Sequence, residues 1–216
     1  MENFIRNNYP AAQEGKAVTR KCIQELSTLY GFDLDHTIMA TSVCSDEIVR
    51  STTNFREYLG HQHPFALGGL AGYPFVGQTG FKAFASHVPD RGFILILYGS
   101  HIGISRNGEV GVMQRRGQML ESSCCGALQA SIESLRQGAE PEADSEYDYQ
   151  QWKIESEVHA ERDRILGSPI ALVQATEVMF TSIDRRIREL LERTRLDFRG
   201  RKVALVGGDR KSTRLN

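Results

Sequence analysis

The chain lacks long hydrophobic runs, a strong net charge and closely spaced pairs of cysteines in CxxC form. No apolar stretch approaches the ~20 residues that a membrane-spanning helix needs, so we expect no membrane span. A formal net charge of −1 gives no field that would hold nucleic acid or anionic lipid, and neither partner is expected. The four cysteines do not follow a disulfide-rich spacing, which favours a soluble protein of a reducing compartment where thiols bind metal or do chemistry.

The length of the chain and its hydrophobic patterns indicate one α/β domain. The 216 residues are enough to bury a sizeable core. Apolar runs predict strands over 38–43, 92–98 and 202–206, and helical periodicity predicts helices over 13–30, 45–59, 79–87, 122–136, 149–166 and 170–195. We expect a single domain over 1–208 and a disordered tail over 209–216, since the closing residues carry no core signal.

The stretch 41–50, TSVCSDEIVR, is the first candidate for a site. The strand over 38–43 ends at Cys44, and Ser45 can cap the following helix. Asp46 would then lie in the first turn of that helix, with Arg50 one turn further on. The carboxyl edge of an α/β sheet is where ligands bind, so a thiol, a carboxylate and a guanidinium at this edge indicate a functional site.

Later segments supply partners for the thiol. The very apolar run 92–98 predicts a central strand that delivers His101 to the same edge, and a turn at Asn107-Gly108 predicts a hairpin-like excursion over 102–113. Cys124 and Cys125 would fall in the first turn of the helix over 122–136, where the helix N-terminus favours thiolate. Two thiolates, one imidazole and an open position form a catalytic zinc arrangement, so we predict a site from Cys44, His101 and one of the paired cysteines.

Other chemistries are disfavoured. The glycine-rich segment 61–80 imitates a phosphate-binding loop, but Gln78 stands where the lysine would be, so we interpret it as a loop that packs closely against the cleft. A zinc deaminase would need H-x-E and PCxxC, and a thiol–disulfide enzyme would need CxxC, and neither is present. Cys22 lies on the apolar stripe of the helix over 13–30 and is interpreted as a core residue.

Four segments carry a resemblance to a known family: CSDEIVR, FREYLGHQHPFALGGLAGYPFVGQTGFKAFASHVPD, GFILILYGSHIGIS and CCGAL. Together they resemble the LCIB family, the low-CO2-inducible proteins of algae and their microbial relatives, over roughly residues 17–206. The resemblance implies a β-carbonic-anhydrase-like α/β fold around a largely parallel sheet, and a homodimer. It also implies zinc-dependent reversible hydration of CO2 to bicarbonate and a role in inorganic-carbon concentration, in the cytoplasm or the chloroplast stroma.

The resemblance also implies roles for individual residues. The family's Zn2+ ligands fall on Cys44, His101 and a cysteine of the CCGA motif, and its Asp–Arg dyad falls on Asp46 and Arg50. We choose Cys125 as the third ligand because it directly precedes the glycine, and expect Cys124 to point into the core.

Three points are left open by the resemblance. The fourth position on the zinc is open between water and Asp46, and the proton-transfer group is not assigned among His61, His63 and His87. The alternative function is a catalytically silent zinc-binding scaffold or partner subunit, as some members of the family are inactive in isolation.

Overall fold

The protein is a parallel sheet with helices on both faces. A computed structural model describes residues 2–46, 49, 51–60, 63–143, 146–195 and 197–212. The helices are α1 (Glu2–Asn8), α2 (Gly15–Thr28), α3 (Ser51–Tyr58), α4 (Gly77–Ser86), α5 (Gly126–Arg136), α6 (Tyr149–His159), α7 (Arg162–Leu166) and α8 (Ala171–Arg193). The strands are β1 (Thr37–Ser42), β2 (Phe65–Ala66), β3 (Phe93–Tyr98), β4 (His101–Gly103), β5 (Val112–Met113), β6 (Ser122–Ser123), β7 (Val203–Gly207) and β8 (Arg210–Ser212). Short 3-10 turns cover Leu34–His36 and Leu70–Gly72.

Four strands form the central sheet, in the order β2-β1-β3-β7, and every neighbouring pair is parallel. This confirms the predicted α/β class with a largely parallel sheet flanked by helices. Strands β1 and β3 run side by side over six register pairs, from Thr37 with Phe93 to Ser42 with Tyr98. Both strands therefore end at the same level, and the residues that follow them emerge at one edge of the sheet.

Strand β3 separates two apolar layers, which explains why its sequence is apolar throughout. Ile94 and Ile96 face a layer formed mainly with α4, α5, α6 and α8. Leu95 and Leu97 face a smaller layer formed with α2 and α3, against which the half-buried Cys22 packs, in keeping with its interpretation as a core residue. A strand buried on both faces reads as a continuous hydrophobic run rather than an alternating one.

The excursion after His101 contains the predicted turn. Gly108 adopts a positive φ of 85°, a conformation in which glycine has no steric penalty. Ile104 and Val110 form an antiparallel bridge across this turn, and β5 then pairs with β6. The excursion thus folds back on itself and returns the chain to the segment that carries Cys124 and Cys125.

Two predicted helix starts were wrong. Ser45 and Asp46 form a bend rather than a first helical turn, because the Ser45 amide donates to the carbonyl of Gly69 at 3.2 Å, and the following helix begins at Ser51. The second helix begins at Gly126 instead of 122, because β6 pairs with β5 and the Cys124 amide donates to the Gly111 carbonyl at 2.8 Å. Both differences come from long-range hydrogen bonds that local propensity does not contain.

The end of the chain also departs from its prediction. Instead of disorder from residue 209, Arg210–Ser212 form β8, which pairs in parallel with β4. Ser100 donates a hydrogen bond to Asp209 at 3.1 Å, so this segment is tied to the edge where the site lies. Residues 213–216 lie outside the described part of the chain, and the single domain over 1–208 stays a prediction. None of the helices in the described ranges is long and apolar enough to cross a membrane.

The tightest backbone approach at this edge is between Gly99 and Gly208, and it generates a stability prediction. A Cβ added at Gly99 would overlap the carbonyl oxygen of Gly208, so Gly99→Ala must push two backbone segments apart. We expect a loss of about 1–3 kcal/mol in the free energy of unfolding, measured by chemical denaturation. Gly15→Ala is the matched control, because its added Cβ meets only Asn54 Nδ2 at an ordinary 3.7 Å. Equal unfolding midpoints for the two variants would contradict the packing argument.

Candidate metal centre

Cys44 and His101 are brought together by the two central strands. Cys44 follows the end of β1 by two residues and His101 follows the end of β3 by three, and Ser42 and Tyr98, the last residues of these strands, are register partners. Both side chains are buried, with 8% of Cys44 and 1% of His101 exposed. The sequence therefore predicted correctly that one sheet edge would carry both residues.

The glycine-rich segment closes over this edge by backbone contact. Gly72 has a positive φ of 86°, and a Cβ there would lie 2.6 Å from the Gly99 carbonyl oxygen and 3.3 Å from the Cys44 amide nitrogen. Ser42 Oγ donates to the Gly72 carbonyl at 2.8 Å, which fixes the segment in place. A side chain at Gly72 would separate the loop from the strand end that carries Cys44, so the interpretation of this segment as a close-packed loop agrees with the contacts.

Three donor atoms converge in the space beneath that loop. The Sγ atoms of Cys44 and Cys125 lie 4.0 Å apart, and the donor atoms of Cys44, His101 and Cys125 all lie within 4.8 Å of one another. His101 Nε2 is buried and makes no hydrogen bond within the described residues. A buried imidazole nitrogen without a partner beside two thiols is what a metal ligand requires, and these three residues could hold a metal ion.

The electrostatics of the two sulfurs favour one thiolate. The hydrogen bond from the Cys125 thiol and the nearby His101 ring lower the pKa of the Cys44 thiol well below its usual range, although burial opposes this. The same hydrogen bond, together with burial, raises the pKa of Cys125. Cys44 is therefore the sulfur that most readily supplies the thiolate, which is the form that binds metals.

Cys124 is buried in the interior, as expected, and it also contacts His101. It is fully buried, and its Sγ lies 3.7 Å from His101 Nδ1, so that it contacts the ring nitrogen on the opposite side from Nε2. Gly103 makes room for it, since a Cβ there would lie 2.6 Å from that of Cys124. The donor atoms of Asp46, His101 and Cys124 also lie within 4.8 Å of one another, so His101 is shared by two sets of potential ligands.

Asp46 is paired with an arginine that the sequence did not indicate. Arg115 Nη2 donates to Asp46 Oδ2 at 2.8 Å, and only 18% of the Arg115 side chain and 11% of the Asp46 side chain are exposed. Arg50 lies outside the described residues, so the Asp46–Arg50 dyad stays a prediction. The one signal for Arg115 was its place in the sequence between two predicted ligands, His101 and Cys125.

The histidines considered for proton transfer are not assigned by the structure. His63 and His87 are exposed, and the His87 ring packs edge-on against Phe65 at 5.7 Å between ring centroids. His61 lies outside the described residues.

Fold and site together define an α/β protein with a buried Cys–His–Cys donor set at the carboxyl edge of a parallel sheet. Residues 15–210 match the family described as limiting CO2-inducible proteins B/C beta carbonic anhydrases. The chain belongs to this family, which confirms the resemblance to LCIB proteins.

Solved structures agree with this assignment. The crystal structure of PtLCIB4, a homolog of the limiting CO2-inducible protein LCIB, is 30% identical with a TM-score of 0.91, over 99% of this chain and 89% of that one. A point mutant of PtLCIB4, in which a histidine is replaced by alanine, is 29% identical with a TM-score of 0.89, over 98% and 86% of the two chains. LCIB itself, at 21% identity and a TM-score of 0.63 over 87% and 77%, supports the fold alone. No curated protein sequence matches the chain significantly.

Replacing Cys125 should weaken metal binding more than replacing the neighbouring Cys124. We expect Cys125→Ala to lose bound zinc, because it removes a donor of the Cys44–His101–Cys125 set. Cys124→Ala should keep one zinc per chain but bind it about tenfold more weakly, because it removes only a contact that orients the His101 ring. Zinc content by mass spectrometry and affinity by chelator competition measure the two effects.

Cys22→Ala is the control for this comparison, because Cys22 packs in the smaller apolar layer away from the donor set. It should leave both zinc content and affinity unchanged. Retention of zinc by Cys125→Ala with its loss from Cys124→Ala would reverse the assignment of the third ligand.

Proposed function

We propose that this protein catalyses the zinc-dependent, reversible hydration of CO2 to bicarbonate. The observation that carries the proposal is the buried donor set of Cys44, His101 and Cys125, with His101 Nε2 lacking a hydrogen-bond partner within the described residues. Membership of a family described as beta carbonic anhydrases supports the same reaction. Family membership alone is compatible with a silent zinc-binding scaffold, so activity has to be tested directly.

The donor set fits Zn2+ in its chemistry. Cys44 and Cys125 would bind as thiolates and His101 through Nε2, which leaves a fourth position in a tetrahedral arrangement. Zinc held there would supply Lewis acidity that makes water a nucleophile toward the carbon of CO2. The balance of the reaction is one CO2 and one water giving one bicarbonate and one proton.

The chain's own groups orient and isolate the reactants. We assign Asp46 as the acceptor of a hydrogen bond from the attacking water, because its carboxylate lies at the donor set and is largely buried. Its ion pair with Arg115 at 2.8 Å orients this carboxylate. The glycine-rich loop over Cys44 keeps bulk water from the site by direct backbone contact.

A homodimer and a role in inorganic-carbon concentration belong to the same proposal. The large apolar side chains of Met119 and Leu120 are 94% and 80% exposed, next to the strand β6 that leads into the site. Exposed apolar surface of this kind is typical of an interaction face. Light scattering after size-exclusion chromatography measures the mass of the assembly, and a monomer at micromolar concentration would contradict the dimer.

The proposed activity is tested by stopped-flow CO2 hydration on protein of known zinc content. We expect zinc-dependent turnover in the unaltered chain and its loss in Cys44→Ser, because the substitution removes the favoured thiolate ligand. Cys22→Ser, a change in the smaller apolar layer, should keep the activity. If the protein binds one zinc per chain but does not hydrate CO2, the proposed activity is wrong and the zinc-binding scaffold is favoured.

The donor set also predicts how the rate depends on pH. Two thiolates donate more negative charge to zinc than two imidazoles do, which weakens its acidifying effect on water. The hydration rate should therefore rise from neutral to alkaline pH. A rate that is flat or falls from neutral to alkaline pH, at constant zinc content, would contradict this argument.

A further inference from the structure

Two consecutive glutamines in the first turn of α6, Gln150 and Gln151, reach toward different parts of the molecule. Gln150 Oε1 accepts a hydrogen bond from the Leu70 amide at 2.9 Å, in the glycine-rich segment. Gln151 Nε2 donates to the Ala127 carbonyl at 3.2 Å and to Ser131 Oγ at 3.1 Å, both on α5. The start of α6 therefore joins the glycine-rich segment to α5.

The link through Gln150 leads to Cys44. Leu70 directly follows Gly69, whose carbonyl accepts the Ser45 amide at 3.2 Å. The side-chain amide of Gln150 also packs on Gly69, where an added Cβ would lie 2.4 Å from Gln150 Oε1. Because Ser45 is the next residue after Cys44, Gln150 supports the backbone that carries the first sulfur donor.

The link through Gln151 leads to Cys125. Ala127 is the second residue of α5, and Cys125 is the N-cap of that helix. The Cys125 carbonyl accepts the Gln129 amide at 3.2 Å, so the backbone of Cys125 is fixed to the first turn of α5. Gln151 therefore supports the helix end that carries the second sulfur donor.

Helix α6 is a firm base for both links. Its N-terminus is capped by Asp148, whose side chain accepts the Gln151 amide at 3.3 Å. Its apolar face is anchored by Ile154 and Val158, which are fully buried. Since the two glutamines are adjacent on one packed helix, their partners on the glycine-rich segment and on α5 are held at a fixed distance from each other.

We propose that Gln150 and Gln151 are positioning residues that together set the separation of the two sulfur donors, Cys44 and Cys125. The Sγ atoms of these cysteines lie 4.0 Å apart. Two thiolates held about 2.3 Å from one tetrahedral zinc lie about 3.8 Å apart, so the observed separation suits a metal with little rearrangement. The proposal rests on the proposed function in taking this donor set as a zinc site, whereas the effect of the glutamines on the backbone does not depend on the metal.

The two glutamines use opposite ends of the same side-chain amide, which makes one substitution a matched pair. A carboxylate at position 150 keeps an oxygen that accepts the Leu70 amide. A carboxylate at position 151 has no proton to donate to the Ala127 carbonyl, and it would face Glu155, whose Oε1 lies 3.1 Å from Gln151 Nε2. Gln150→Glu should therefore be tolerated, and Gln151→Glu should not.

The first test measures zinc affinity of the full chain by chelator competition. Gln150→Leu and Gln151→Glu should bind zinc about 2- to 10-fold more weakly, the range that the loss of one net hydrogen bond corresponds to, and Gln150→Glu should match the unaltered protein. Gln137→Leu is the control, because it removes an exposed hydrogen bond to Glu133 within a single helix. Equal zinc affinities of Gln150→Leu and Gln137→Leu would overturn the proposal.

The second test needs no metal and measures amide hydrogen exchange in the zinc-free chain. The Ser45 amide should exchange about 2- to 10-fold faster in Gln150→Leu, and at the unaltered rate in Gln150→Glu and Gln137→Leu. Unchanged Ser45 exchange in Gln150→Leu overturns the proposal. If the unaltered chain binds no zinc, the proposed function fails while this exchange still decides the role of Gln150. If Gln151→Glu does not fold, the variants at position 150 decide alone.

Discussion

The register between β1 and β3 is the constraint on which the site depends. Because Ser42 pairs with Tyr98, the chain leaves both strands at the same level, and two residues separated by 57 positions of sequence, Cys44 and His101, meet at one edge. A parallel pairing shifted by one residue would turn every side chain to the opposite face and separate the thiol from the imidazole. The two-sided burial of β3 fixes this register, since both of its faces are packed.

Close backbone contact is the second requirement of this edge. Gly72 approaches Gly99, and Gly99 approaches Gly208, so three chain segments meet with no side chains between them. The glycines therefore do more than permit turns: they let the segments around Cys44 and His101 pack without space for bulk water. A buried site of this kind lowers the effective dielectric and strengthens the ion pair of Asp46 with Arg115.

The sequence predicted those parts of the fold and site that depend on local pattern. The apolar run of β3, the placement of Cys44 and His101 at one edge and the turn at Gly108 follow from periodicity and turn chemistry, and the structure contains them. The two wrong helix starts depend on hydrogen bonds from Ser45 to Gly69 and from Cys124 to Gly111, which are distant in sequence. The ion pair of Arg115 with Asp46 could not be predicted for the same reason, because it depends on how the segment between β5 and β6 folds and not on any motif.

The imidazole of His101 belongs to two different sets of potential metal ligands. The Cys124 sulfur lies 3.7 Å from His101 Nδ1. The donor atoms of Cys44 and Cys125 form one set with His101, and those of Asp46 and Cys124 form another, each within 4.8 Å. Catalysis needs an open position on the metal, whereas a carboxylate in that position gives a closed, structural site. The Cys–His–Cys donor set is therefore compatible with an open site, in which the fourth position is free, and with a closed one, in which Asp46 fills it.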